Sequence, residues 1–395
     1  MKKFLIPLVF VIAVSSIRCT DKKSKHENRV EADNKIVTQV INFPQSGEDI
    51  LKVSYFADTV IYIPFETTPE SLMDRIKQLW LNDSLIIVNC YKAGLLMFRI
   101  DGKFMRKIGK PGRGPGEYGL IFDFDVIQDT IYISSSGRRG FLRYAIDGTF
   151  CDEILLNYQP AYFSTTSDQK LACYDLNEGR VYVYNNSFKT PDTIIVEYGV
   201  TKGRYRYGHG ETTQTYLQKS PSGLLFTDYM NDTVWNINAN KKEPAYILNL
   251  NNRLPRDKHI EFSNGNFKEW DDMAKNYSFV QLFPLSSWMF IIQKAWGPSS
   301  SYEALYVNNI KTGEITRYKK PFYYDDIVSR QYLYSFFFPY SEDYLVAIGA
   351  SGLIQVVAKT EIDPANPASP AFITQMKTVE FDDNPVIALI KLKKN

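Results

Sequence analysis

The stretch 101–144 decides the fold, because it contains one complete structural unit. It opens DGKFMRKIGKPGRGPGEYGLIFDFDV and closes DTIYISSSGRRGFLRY. A turn at Asp101-Gly102 leads to a strand and then to a glycine-rich loop, and two further strands follow at 130–134 and 141–144. Asp-Gly supplies the positive φ that tight hairpin turns need. A unit of turns and short strands that repeats along a chain is typical of a β-propeller.

Six short β-rich runs recur along the chain at spacings of roughly 40 to 65 residues, which is the period of a propeller blade. We interpret them as inner strands, each followed by two more strands and by a fourth that crosses to the next blade. The prediction is an all-β fold, a six-bladed β-propeller of four-stranded antiparallel blades; two stacked β-sandwich domains are the alternative. The six runs are 84–89, 130–134, 170–174, 224–228, 288–292 and 344–348.

Two lone strands at the ends of the repeat region, 60–65 and 386–392, predict how the ring closes. Strands from both termini that share one blade leave no exposed sheet edge. The composition agrees with this all-β interpretation, since 27 Tyr and 25 Phe favour strands. One helix is expected near 267–275, where apolar residues recur weakly at the helical period.

Charge and cysteine content exclude other classes of protein. The chain has 46 basic and 44 acidic residues, so there is no electrostatic case for nucleic-acid binding. Beyond Cys19, three cysteines remain, and an odd number in a long chain argues against a disulfide framework. We expect Cys90, Cys151 and Cys173 to be small buried side chains.

The N-terminus resembles an export signal. Residues 1–19 read MKKFLIPLVFVIAVSSIRC, in which two lysines precede an apolar core too short for a stable membrane-spanning helix. A cysteine directly after such a core resembles a bacterial lipoprotein signal, and that resemblance implies a lipidated Cys19. The alternative is ordinary signal peptidase cleavage after Ser15 or Ser16, which leaves Cys19 as a free thiol.

The predicted domain organisation follows from this signal. Residues 1–19 are a signal peptide of lipoprotein type, residues 20–36 a flexible tether, and residues 37–395 the propeller. The tether is polar and charged and has almost nothing to bury.

The string GKPGRGPGEYGLIFDFDVIQDTIYISSSGRRGFLRYAIDGTF at 109–150 is similar to an NHL-type propeller blade. Together with 58–67, 231–255 and 382–393, it resembles still more closely a family of six-bladed β-propeller envelope lipoproteins of Bacteroidota. The resemblance implies a cell-envelope protein, an outer-membrane lipoprotein that faces the periplasm or the surface; a soluble periplasmic protein is the alternative. It implies no reaction.

The glycine-rich loop is the first candidate site. A phosphate-binding loop ends in Gly-Lys-Ser/Thr and opens a helix, whereas here Glu117 and Tyr118 lead into a strand. We therefore expect a tight crossover between blades, in which glycine permits unusual backbone angles. Arg113 and Glu117 are the two loop residues that we assign to a ligand-binding surface.

Acidic pairs are the second candidate. Asp123 and Asp125 alternate along a strand and share one face, so they could bind Ca²⁺ or act as acid and base, or simply line the channel edge. Asp325-Asp326 is expected to be a surface turn. The three histidines are scattered, so the sequence predicts no metal site and no cofactor.

The insertion 198–216 is the third candidate, because it combines tyrosine, arginine, glycine and one histidine. Tyr and Arg suit recognition surfaces, and tyrosine rings also stack on sugars. The alternative is a mobile connector. The binding residues that we predict here are Arg204, Tyr205, Arg206, Tyr207 and His209.

These observations favour a non-catalytic binding or scaffold module, held at the membrane by a lipid anchor, with a glycan or an envelope protein as its partner. No Gly-x-Ser-x-Gly elbow is present and no catalytic residue is predicted. The alternative is a propeller enzyme, lactonase-, hydrolase- or lyase-like, with a metal or carboxylates at the central channel.

Overall fold

The fold was analysed in a computed structural model. The structure describes residues 38–175, 180–185, 188, 191, 193–197, 217–220, 223–227, 232–238, 241–255, 272, 275–295, 302–320, 322–341, 343–349 and 367–394. The predicted signal peptide, the tether, Cys19, most of the predicted helix and the whole insertion 198–216 lie outside these ranges.

The described part of the chain is almost entirely β-structure. The strands of the first half are β1 (Gln39–Asn42), β2 (Leu51–Lys52), β3 (Ala57–Pro64), β4 (Ile76–Leu81), β5 (Leu85–Cys90), β6 (Gly94–Arg99), β7 (Phe104–Ile108), β8 (Lys110–Pro111), β9 (Glu117–Tyr118), β10 (Ile121–Ile127), β11 (Thr130–Ser135), β12 (Gly140–Ala145), β13 (Phe150–Leu155), β14 (Pro160–Thr165), β15 (Leu171–Asp175), β16 (Arg180–Tyr184) and β17 (Thr193–Glu197). Those of the second half are β18 (Leu217–Ser220), β19 (Gly223–Phe226), β20 (Thr233–Asn238), β21 (Lys241–Asn249), β22 (Ser278–Pro284), β23 (Trp288–Ala295), β24 (Tyr302–Asn309), β25 (Ile315–Tyr318), β26 (Phe322–Tyr324), β27 (Tyr332–Ser341), β28 (Tyr344–Gly349) and β29 (Val386–Leu392). Two helices, α1 (Val53–Phe56) and α2 (Pro370–Met376), complete the described elements.

The strands form an all-β propeller of small antiparallel sheets, as predicted. In chain order the sheets are I (β4–β7), II (β10–β13), III (β14–β17), IV (β18–β21, with β1 at its outer edge), V (β22–β25) and VI (β26–β29, with β2 and β3). The predicted number of six is not confirmed, because the described strands form seven sheets. The seventh is a two-stranded ribbon in which the glycine-rich loop pairs with itself through β8 and β9.

The prediction that the six apolar runs are the inner strands is wrong. Five of them are the second strands of sheets I to V, and the sixth is β28, the third strand of sheet VI. Each is preceded by a first strand, and the first strands of most neighbouring sheets contact one another. The second strand β5 is buried along nearly its whole length. The first strand β4 is less apolar, because it contains the half-buried polar residues Lys77 and Gln78. A strand covered on both faces gives the strongest apolar signal, so the prediction identified the wrong strand of each sheet.

The predicted ring closure is confirmed. The N-terminal strand β3 pairs antiparallel with the C-terminal strand β29, with Ile63 opposite Ile387 and Ile61 opposite Leu389. Both strands belong to sheet VI, and their apolar side chains pack into the cores on either side.

A segment that the sequence analysis missed, residues 38–56, runs along the outermost strands of sheets IV and V and joins sheet VI at β26; we call it the edge strap. Its strand β1 pairs parallel with β21, Glu48 bridges to Tyr318 of β25, and β2 pairs parallel with β26. The ring of Phe43 packs edge-on against Tyr306 of sheet V at 5.0 Å between centroids. The edge strap thereby covers sheet edges that would otherwise be open.

Two expectations about single residues are wrong. Cys90 and Cys173 are buried as predicted, but Cys151 is exposed because it lies on β13, the outermost strand of sheet II. Asp325 is not in a surface turn but fully buried, and it accepts hydrogen bonds from the hydroxyl of Tyr62 at 2.7 Å and from the amide of Ser329 at 2.8 Å. Its partner Tyr62 is distant in sequence, so the local pattern could not show this burial.

Candidate functional site

The glycine-rich loop is closed by one of its own side chains. Glu117 accepts a hydrogen bond from the amide of Gly114 at 2.8 Å, and its other carboxylate oxygen lies 3.2 Å from the Lys110 ammonium. The hydrogen bond from Gly114 and the contact with Lys110 lower the pKa of Glu117. A Cβ atom on Gly112 would lie 2.0 Å from the Glu117 carboxylate, so a larger residue there would displace that side chain. Glu117 therefore stabilises the loop.

Two buried tyrosines hold the base of this loop. The hydroxyl of Tyr118 donates to the carbonyl of Ile108 at 2.8 Å and accepts from the amide of Leu95 at 3.2 Å. The hydroxyl of Tyr144 donates to the carbonyl of Gly116. Burial raises the pKa of Tyr118. These bonds join sheets I and II through the loop, which is the geometry of the predicted crossover.

The two loop residues that we assigned to ligand binding differ in their exposure to solvent. The Arg113 side chain is exposed, whereas Glu117 is half-buried within the loop. The other five predicted binding residues, 204–207 and 209, lie outside the described residues, so their assignment stays a prediction.

The first strands of sheets I, II and III meet at one buried carboxylate. Asp123 of β10 accepts from the side-chain amide of Gln78 on β4 at 2.7 Å and from the backbone amide of Phe163 on β14 at 2.9 Å. It is only 6% exposed. Burial, reinforced by the charge of Asp125, raises the pKa of Asp123 to about 7. A carboxyl group that titrates near neutrality thus joins three sheets.

Asp125 has a different environment from Asp123, although the two share a strand. Its carboxylate forms an ion pair with Lys219 of β18 at 2.8 Å. Among the described residues, no cluster of three or more His, Cys, Asp or Glu side chains could hold a metal ion. One aspartate is buried and the other is ion-paired, so the sequence-predicted pair does not form an open carboxylate site.

Three aromatic rings form a partly exposed surface on sheet VI, which we call the aromatic face: Phe322, Tyr324 and Tyr332. Tyr324 and Tyr332 are directly opposite each other across β26 and β27. The Tyr332 ring lies 5.3 Å from each of the other two ring centroids and is 53% exposed. Tyr323, between the two β26 aromatics, points into the core and is fully buried.

The alternation at 322–324 was a signal that sequence reasoning missed. Successive side chains of a strand point to opposite faces, so Phe-Tyr-Tyr places two rings together on one face. An exposed aromatic group of this kind marks a surface suited to binding.

Comparison with known proteins assigns the family. A family model described as a domain of unknown function, DUF4934, matches residues 38–391. The chain belongs to this family. The DUF4934 match covers the whole described propeller, and it gives no evidence for the NHL repeats suggested by the loop. No curated protein matches the sequence.

Solved structures place this DUF4934 chain among propellers. A Bacteroides fragilis protein, provisionally assigned as exported, is similar at a TM-score of 0.69 and 15% identity, over 90% of this chain and 99% of that one. An inactive virginiamycin B lyase of Staphylococcus aureus has a TM-score of 0.43 and 11% identity, over 84% and 99% of the two chains. The first likeness supports the fold; the second is too weak to carry an argument. In the described part of the chain, no helix has the length and apolarity needed to cross a bilayer.

Proposed function

We propose that this protein is an envelope-located binding propeller, exported by residues 1–19, anchored through a lipid on Cys19 and specific for a glycan. Export is supported by the N-terminal signal and by the provisional assignment of the Bacteroides fragilis protein as exported. We also propose that the ring has six blades, with the β8–β9 ribbon as part of a crossover.

The observation that carries the binding proposal is the aromatic face. Its three rings lie together on one side of the β26–β27 hairpin, and Tyr332 exposes about half of its surface. An aromatic ring presents an apolar surface to the C–H face of a sugar, and the tyrosine hydroxyls add polar contacts.

The test is a glycan array probed with the full chain carrying Cys19→Ser, which stays unlipidated. We expect binding to a defined set of oligosaccharides, and Tyr332→Ala is expected to weaken it by about tenfold or more, as for a central contact residue. Tyr91→Ala is the matched control, because Tyr91 is similarly exposed at 45% but lies in the turn between β5 and β6 of sheet I.

The insertion supplies the second arm of the experiment. Arg204→Ala combined with Tyr205→Ala tests the residues predicted from sequence. Loss of binding in this variant with no loss in Tyr332→Ala would move the glycan site from the aromatic face to the insertion. An array with no signal above background would refute the glycan proposal, and pull-down from envelope extracts would then test a protein partner.

A propeller enzyme is the second candidate, and Asp123 is the observation that favours it. A carboxyl group with a pKa of about 7 has the proton affinity of a general acid at neutral pH. Both of its oxygens already accept hydrogen bonds, however, and it is buried between three strands. Elemental analysis of the purified protein discriminates, because one stoichiometric Ca²⁺ or Zn²⁺ would favour the enzyme.

A further inference from the structure

The outer edge of sheet I and the loop that follows it carry a run of positive charge, which we call the basic strip. Five cationic residues occur within 103–113, and all five side chains are exposed. The whole chain has a formal charge of only +2, so this is a local concentration. The residues are Lys103, Arg106, Lys107, Lys110 and Arg113.

Within the part of the chain that the structure describes, most of this charge forms no ion pair. Lys107 and Arg106 are opposite Leu96 and Met97 on β6, which are buried and apolar. Of the five cations, only Lys110 forms an ion pair with a described residue, through Glu117.

Four carboxylates lie near the basic strip and do not neutralise it. Asp101 accepts from the backbone amide of Lys103 and forms an ion pair with Arg99 at 2.6 Å. Glu66 accepts from the backbone amide of Phe104 at 2.8 Å, and Glu117 is held by its own loop. Asp147 has its pKa lowered first by hydrogen bonds within its turn and also by the charge of Arg106. Because Asp101 is paired with Arg99, five cations and the other three carboxylates leave the surface positive.

The equivalent strand of sheet II shows that such a surface is not required by the fold. There the outermost strand β13 places Asp152 opposite Arg143, with an ion pair at 2.5 Å, and Glu153 pairs with Arg138 at 2.9 Å. Charged side chains of either sign protect an edge strand from pairing with another chain. Edge protection therefore explains why β7 is charged. It does not explain why the charges are all positive and, among the described residues, mostly outside ion pairs.

Exposed apolar side chains accompany the cations. Met105, on the same strand, is 42% exposed, and Phe150, which packs on the loop at Gly116, is 37% exposed. Cations next to exposed apolar side chains are characteristic of surfaces that bind the interface of an anionic membrane.

We propose that the basic strip docks the propeller onto anionic lipid headgroups. This docking proposal rests on the proposed function in one respect: the lipid anchor on Cys19 holds the protein at the membrane. The predicted tether, residues 20–36, spans at most about 60 Å when fully extended, so a lipid on Cys19 would confine the propeller to the neighbourhood of the bilayer. Docking would then hold the ring in one orientation on the membrane.

The experiment measures binding of the mature chain from residue 20, which lacks both the apolar signal segment and Cys19, to vesicles of phosphatidylcholine alone and of an equimolar mixture with phosphatidylglycerol. We expect binding to the anionic vesicles only, weakening as salt is added. Lys103→Glu, Lys107→Glu and Arg113→Glu together are expected to weaken it by about 100-fold, from the contribution of each cation near an anionic surface.

The control reverses three exposed lysines elsewhere, Lys319, Lys320 and Lys391, and changes the net charge equally. It should retain binding within about twofold, as expected when only long-range, salt-screened charge is altered. Equal loss in both triple variants, or equal binding to both kinds of vesicle, would overturn the proposal. Charge reversal keeps the edge strand charged, so edge protection is retained in the strip variant, and its loss of vesicle binding cannot be ascribed to pairing of the exposed edge. The glycan-array result does not depend on this outcome, because that array contains no lipid.

Discussion

Replacement of Asp123 by asparagine should change how the stability of the propeller depends on pH. The carboxyl group is buried between the first strands of sheets I, II and III, and burial raises its pKa to about 7 from the usual 3.8. Several ionisable groups act on it or respond to it: Asp125 on its own strand, Lys77 on β4, Tyr162 on β14 and Cys173 on β15. Burial remains the largest cause of the shift.

The sign follows from proton binding in the two states. Between about pH 4 and pH 7 the folded protein holds a proton on Asp123 that the unfolded chain has released, so the stability from this group is complete below pH 4 and is lost as the pH rises through 7. Each pH unit in that window lowers the free energy of unfolding by about 1.4 kcal/mol, a total of about 4 kcal/mol.

Asp123→Asn removes this titration and keeps one acceptor oxygen, which can serve the amide of Phe163. The side-chain amide of Gln78 then loses its acceptor, at a cost of about 1 kcal/mol. The variant should be about 1 kcal/mol less stable than the wild type at pH 4 and about 3 kcal/mol more stable at pH 8. Urea unfolding of the Cys19→Ser chain, followed by tryptophan fluorescence across this range, measures the difference.

The control has the opposite sign. The pKa of Asp147 is lowered, first by the hydrogen bond from the amide of Thr149, so its contribution is lost as the pH falls. Asp147→Asn should therefore be less stable than the wild type at pH 7, and this difference in the free energy of unfolding should disappear below about pH 4. If Asp123→Asn were destabilised equally at pH 4 and pH 8, the carboxyl group would not be a desolvated acid, and the reasoning would be refuted.

Two further changes test the crossover and the edge strap. Tyr118→Phe leaves the carbonyl of Ile108 and the amide of Leu95 without their buried partner, and should lower the free energy of unfolding by about 2 kcal/mol in urea titrations; an unchanged midpoint would show that the hydroxyl does not join the sheets. Gly47→Ala places a Cβ atom 2.1 Å from the Arg317 carbonyl oxygen, so the strap should loosen and the amide of Lys319, which donates to the carbonyl of Glu48, should exchange hydrogen faster. Unaltered exchange at Lys319 would mean that the strap accommodates the methyl group in place.

The sequence predicted the sheets well where burial produces a regular apolar pattern. The run 386–392 is apolar at six of its seven positions, and its pairing with the N-terminal strand follows from closing a ring. The edge strap could not be predicted in this way. Its paired strands have four and two residues, and they add in parallel to sheet edges far along the chain. Short edge strands bury little, so they leave little pattern in the sequence.

Candidate sites were harder to predict because local sequence does not reveal distant partners. Asp325-Asp326 has the composition of a surface turn, and Asp325 does accept hydrogen bonds from the amides of Ile327 and Val328, as turn residues do. Its burial depends on β3, a strand distant in sequence, from which the hydroxyl of Tyr62 donates to the Asp325 carboxylate. The spacing of Asp123 and Asp125 likewise predicted that they share one face of a strand. It could not show that Asp123 is buried and that Asp125 is paired with Lys219.

The two candidate activities lie on strands β10 and β27, where polar or exposed aromatic side chains interrupt the apolar pattern. Asp123 lies in the first strand of sheet II, and Tyr332 begins β27, which contacts the first strand of sheet I. A folded chain places polar or exposed aromatic side chains on such strands at a cost in stability, so sites of this kind are where function is expected. If one ligand engages the aromatic face and alters the packing of β27 on β4, it also acts on the strand that holds Gln78 against Asp123. Glycan binding measured at pH 6 and pH 8 in the wild type and in Asp123→Asn tests this coupling, since a pH dependence shared by both proteins would exclude Asp123 as its origin.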